Sequence, residues 1–134
     1  MEDVIDELRE LAEGVPVPLE LPEDEDIILV EEQILIPIPY EFRQFLLNVS
    51  DVVYGTIEPV TVMDSSSHTY LPEVTATAWQ LGLPRHLIPV CEKEGGYYCV
   101  EQDDTVKFWY QGEFTEDTWQ SVWQWASDIW LNRL

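Results

Sequence analysis

Apolar residues near the start of the chain recur as Val4, Ile5, Leu8, Leu11 and Ala12, the i, i+1, i+4, i+7, i+8 spacing of one helix face. Asp3 suits the N-cap, Asp6 and Glu7 the positive end of the helix, and Gly14 its termination. Pro16, Pro18 and Pro22 then enforce an extended connector. The helix before it is too short to stand alone, so the connector reads as an ordered linker within one domain. Over residues 23–35, Pro22 followed by four acids makes a helix start, and Ile27, Val30 and Ile34 keep helical spacing. The β-branched runs IILV and ILI suit strands as well; helix is the expectation. Ile36-Pro37-Ile38-Pro39 breaks it. Pro39 then opens a third helix with Phe42, Phe45, Leu46 and Val49 on one face.

After Ser50 the pattern changes to sheet. Thr56–Val62 is rich in β-branched residues, and Pro59 marks it as an edge strand or bulge. Asp64-Ser65-Ser66-Ser67 is a loop by composition, and Pro72–Leu81 forms a short helix closed by Gly82. Leu87–Cys91, Tyr97–Glu101 and Val106–Tyr110 predict an antiparallel meander, with turns at Glu94-Gly95-Gly96 and Gln102-Asp103-Asp104. A final helix is expected from an Asp117 N-cap with Gln120 completing a capping box. Trp119, Val122, Trp123, Ala126, Ile129 and Trp130 share its apolar stripe, while Trp125 and Leu131 lie off it. Helices, then strands, then a helix give an α+β domain. Residues 1–134 read as one domain, with a helix and Pro-rich connector over 1–22 and a core over 23–134.

Charge changes this picture from a generic domain to a binding module. The chain of 134 residues carries 27 Asp and Glu against six Lys and Arg, a formal −21, yet 46% of it is hydrophobic and six residues are Trp. Disordered acidic tails lack such aromatic content, so a folded core wears a dense negative shell. Residues 1–33 hold 13 acids and one base, a net −12; the remainder hold 14 acids and five bases, a net −9. Glu23-Asp24-Glu25-Asp26 is the densest run, and its mutual repulsion predicts exposure. Such a surface repels nucleic acid and anionic lipid and attracts a basic protein. No signal peptide and no apolar stretch long enough to span a bilayer are visible, so a soluble cytoplasmic protein with reduced cysteines is expected.

Catalytic chemistry is not apparent. His68 follows three serines without the glycine pattern of a nucleophile elbow, and Gly95-Gly96 serves a turn rather than a phosphate. With a hairpin turning around Gly95-Gly96, Cys91 and Cys99 lie on paired strands, and their even separation places both on one face. A zinc site would need two more ligands. Two buried thiols are expected, with a disulfide as the alternative. Packing on the sheet explains Trp119, Trp123 and Trp130. Trp125, off the stripe, is the candidate for an exposed interface anchor. The candidate partner contacts are Glu23, Asp24, Glu25, Asp26, Asp103, Asp104 and Trp125; no metal site, cofactor or catalytic residue is expected.

The run Leu35-Ile36-Pro37-Ile38-Pro39-Tyr40-Glu41-Phe42-Arg43-Gln44-Phe45-Leu46-Leu47 resembles the proline-led, aromatic-rich helix of the SUKH superfamily. Tyr54-Gly55 and Ile57-Glu58-Pro59 match the glycine and strand that follow it. Gly82-Leu83-Pro84 with Leu87–Val90, Tyr97–Val100 and Val106–Trp109 are similar to the strands of its sheet. Trp119-Gln120-Ser121, Trp125 and Trp130-Leu131 are similar to its C-terminal helix. The chain departs from the family at Val53-Tyr54-Gly55, where Asn-Gly-Gly is frequent, and at Asp103-Asp104, where Asp-Gly is usual. The superfamily includes a fungal cell-wall regulator and many bacterial immunity proteins. The resemblance implies a twisted, mainly antiparallel sheet flanked by helices, no catalysis, and either neutralisation of a toxin, often a nuclease, or regulatory scaffolding of cellular proteins.

Overall fold

In the computed structural model, which describes residues 1–16 and 18–132, helices flank a four-stranded antiparallel sheet in the order β1-β2-β3-β4. Helices α1 (Glu2–Leu11), α2 (Asp24–Ile34), α3 (Tyr40–Val49) and α4 (Leu71–Gln80) precede strands β1 (Ile88–Lys93), β2 (Gly96–Val100), β3 (Val106–Tyr110) and β4 (Glu113–Trp119). A short α5 (Val122–Trp125) runs into a π-helical turn, Ala126–Trp130. The fold is α+β, as the order of apolar periodicities predicts.

Alternation along the strands divides the apolar residues between two cores. Ile88, Cys91, Val100, Val106 and Trp119 join the main core with residues of α1, α2, α3 and α5. Tyr97, Cys99 and Trp109 face the other way, onto Ala78 of α4 and Leu83 and Leu87 beyond it. The N-terminal helix is tied in by Leu8, which is fully buried. Arg9 bonds Asp51 at 2.8 Å and the carbonyl of Asn48. After the helix, the Glu13 amide donates to the Val53 carbonyl at 2.7 Å.

Three expectations are corrected. Thr56–Val62 is not a strand; it makes isolated bridges from Pro59 to Cys91 and from Thr61 to Tyr70. Pro59 has no N–H to continue a ladder, so the segment only follows the outer edge of β1, with Val60 N donating to Val90 O at 2.8 Å. The last helix does not start at Asp117. Gln111 and Gly112, at φ 52° and 85°, turn the chain into a hairpin, and Glu113–Trp119 becomes a fourth strand whose Trp119 pairs with Val106. Ser121 is the N-cap, its Oγ accepting from the Gln124 amide at 3.3 Å. The cysteines, finally, do not share a face. The register slips between Pro89 and Cys91, so Cys91 opposes Tyr98 while Cys99 opposes Pro89. The extra residue of this bulge turns one thiol into each core. Both are free and buried.

Candidate partner-binding surface

The first acidic cluster begins α2, where carboxylates at a helix N-terminus meet the positive end of its dipole. Glu23 is the N-cap, and its amide donates to Asp26 Oδ2 at 2.9 Å to close a capping box. Asp24 lies 3.6 Å from the Arg43 guanidinium, which also reaches Glu31 at 3.3 Å. Glu31 in turn accepts from the Ile38 amide at 2.7 Å, fixing the bend into α3. Glu23, Asp24 and Glu25 are exposed, and Asp26 is half-buried.

The second cluster sits on the β2–β3 turn. Asp103 is exposed, and the Thr105 amide donates to its Oδ1 at 3.0 Å. That hydrogen bond holds its carboxyl below the usual carboxylate range. Asp104, at φ 72°, accepts from the Glu41 and Phe42 amides, both at 3.3 Å. It therefore caps α3 from a distant point in the sequence. Gln102 Nε2 donates to Pro37 O at 3.1 Å beside it. Both clusters thus abut the N-terminal half of α3, one through Arg43 and one through the helix's own amides. Glu23, Asp26 and Asp104 are engaged in capping, and the side chains of Glu23, Asp24, Glu25 and Asp103 remain exposed to solvent.

Trp125 does not belong to this surface, which corrects the expectation of an exposed anchor. It is fully buried, with its ring 5.4 Å from that of Tyr98 and 6.3 Å from that of Phe45. The physical reason is that α5 is wedged between α3 and the sheet. Val122, Trp123 and Trp125 are all buried, and within α5 only Gln124 faces water.

The structure instead exposes apolar side chains on α2 and just beyond it. Ile27, Val30 and Ile34 point into the core, while Ile28 is 46%, Leu29 55%, Leu35 85% and Tyr40 66% exposed. Leu35 stands between two shallow clefts. One, of about 460 Å³, includes Ile36, Ala76, Trp79 and Arg85 in its walls. The other, of about 350 Å³, is lined by Ile28, Glu31, Glu32, Leu35, Ile36 and Pro37. The signal for this face is present in the sequence as IILV and ILI, which hold more apolar residues than one buried helix stripe needs.

The polar grouping around His68 lies on the surface. His68 Nε2 lies 2.6 Å from Glu58 Oε2, and both side chains are exposed. Ser67 and Thr61 bond Thr69 Oγ1 at 2.7 Å and 2.8 Å, a chain of hydroxyls in which the His68 ring takes no part. His68 and Glu58 border a cavity of about 230 Å³ walled mainly by Val15, Leu19, Val52, Val53 and Pro59. Among the described residues, no group of three or more His, Cys, Asp or Glu is placed to hold a metal ion. No helix among them is long and apolar enough to cross a membrane.

Comparison with known proteins bears on the whole chain. A model of the SUKH_5 family, described as SMI1-KNR4 cell-wall, matches residues 1–131. No curated protein matches. A solved structure described as the crystal structure of a protein from Pseudomonas syringae pv. tomato is 59% identical, covers 98% of this chain and 99% of its own, and superposes with a TM-score of 0.96.

Proposed function

The chain belongs to the SUKH_5 family, SMI1-KNR4 cell-wall, and from that premise we propose that it is a non-enzymatic protein-binding module, an immunity protein that neutralises a bacterial toxin domain by stoichiometric binding. The observation that carries this reading is a charge of −21 on a well-packed body. Arg9, Arg43 and Lys107 already sit in ion pairs with acids of the same chain, so most carboxylates have no basic partner of their own. A basic domain supplies what is lacking, and nucleases are basic where they grip phosphates. The mechanism is steering by the long-range field followed by occlusion of that basic surface, with Glu23, Asp24, Glu25 and Asp103 as the available contacts.

The words cell-wall in the family description favour a second reading, a regulatory scaffold that binds cellular proteins. Where a secreted domain is encoded beside this chain's gene, co-expression with that domain separates the two. Under the first reading the chain restores growth, forms a one-to-one complex with that domain, and associates about tenfold or more slowly at high salt than at low salt. Killing that continues unabated in the presence of the folded chain, with no complex on size-exclusion chromatography, overturns it.

A further inference from the structure

The outward side of α2 is costly for a helix that serves the fold alone. A surface helix ordinarily turns polar residues to solvent, yet Ile28 and Leu29 stand there in mid-helix, 46% and 55% exposed. Leu35 departs further. It ends α2 at φ 65°, a left-handed position where glycine or asparagine is the usual choice and a leucine is strained. Its side chain is also 85% exposed. Asn at this position would ease the left-handed φ and leave no apolar surface in water, so folding does not account for the leucine. Residues 23–34 add six carboxylates and no base. Nearby, the Arg43 guanidinium is taken by Asp24 and Glu31, and Arg85 lies over the Trp79 ring at 5.5 Å.

We propose that this face of α2, with Ile28, Leu29 and Leu35 framed by Glu25 and Glu32, docks a cationic amphipathic helix of a protein partner. The apolar row and the clefts either side of Leu35 accept side chains spaced i, i+3/i+4, i+7, and the framing carboxylates meet Lys or Arg on the flanks of the same helix. A second copy of this chain is the wrong occupant, because a two-fold contact here would press two sets of six carboxylates together. The assignment rests on the protein-binding reading above and deepens it by naming the surface and the kind of element it takes.

The test uses the full chain and two synthetic peptides of about 18 residues. One is a leucine–lysine helix with its leucines on a single face; the other has the same composition with leucines spread around the helix. Affinity is read by calorimetry and location by amide chemical shifts. The patterned peptide is expected to bind at least about tenfold more tightly than the spread one, with shifts concentrated over residues 25–40. The double variant Ile28→Ser/Leu29→Ser should lose about tenfold in affinity, and Leu35→Asn should weaken binding while its Tm does not fall. Equal binding of the two peptides, or undiminished binding by both variants, means that charge alone is read; the docking face is then wrong and the acidic binding module survives. If neither peptide binds, the preference for a cationic partner falls as well. Self-association of the native chain that is lost in Leu35→Asn would make the face a dimer contact and overturn the proposal.

Discussion

Burial raises the Cys91 and Cys99 thiols from an ordinary value near 9.0 to about 12 in each case, desolvation being the largest cause. Thiolate is the reactive form, so neither should react with a disulfide reagent at about pH 8 until the protein unfolds, and then both should. The same shift sets a stability trend. Between about pH 9 and pH 12 the unfolded chain gives up a proton that the folded chain keeps, so stability falls as pH rises. The slope is on the order of 1.4 kcal/mol per pH unit for each buried thiol. Denaturant melts across that range check it, and a flat response would place the thiols in contact with water. Sequence put these cysteines on paired strands correctly. Their separation onto opposite faces depends on a one-residue slip at Val90, which no spacing rule announces because a bulge is fixed by cross-strand packing.

At the level of elements, strong local periodicity was legible and pairing was not. The first helices and the three-stranded meander lie within a few residues of where their apolar spacing puts them, since 3.6 and 2 are distinct periods. Strand β4 was invisible because EFTEDTW mixes acids and threonines with few core residues; only its hairpin with β3 makes it a strand. The apolar spacing joins Trp119, Trp123 and Trp130 into one long amphipathic helix, whereas Trp119 ends β4 and the helix after it is short and buried on several sides. Two variants measure this correction. Ser121→Ala removes the cap of α5 and should cost about 1 kcal/mol. Asp117→Ala, in the exposed middle of β4, should cost less than about 0.5 kcal/mol. The reverse order would restore the longer helix. The docking face shows the same divide. Its apolar residues were plain in the sequence, but what covers each side of a helix is settled by neighbouring elements rather than by the helix's own period.

Across the whole molecule, an aromatic cluster centred on Phe45, with Trp123, Trp125 and Trp130 at 5.6 Å, 6.3 Å and 5.8 Å, holds together a body whose surface charges repel. The carboxylates oppose compaction of the free protein and favour its union with a cation, so salt should act on the two processes with opposite sign. Screening lengths fall from about 30 Å at about 10 mM to under 10 Å at a few tenths molar salt, which silences the long-range repulsion while leaving the buried packing untouched. Raising sodium chloride over that range should therefore lift the Tm of the isolated chain by several degrees; about 1 kcal/mol corresponds to roughly 3–5 °C for a domain of this size. The measurement is a thermal melt followed by circular dichroism, paired with association rates under the same buffers. A Tm that falls with salt would mean that the few ion pairs, Arg9–Asp51 and Arg43–Glu31 among them, outweigh the repulsion. The acidic shell would then be a network of internal supports rather than a field directed outward, and the electrostatic basis for a cationic partner would go with it.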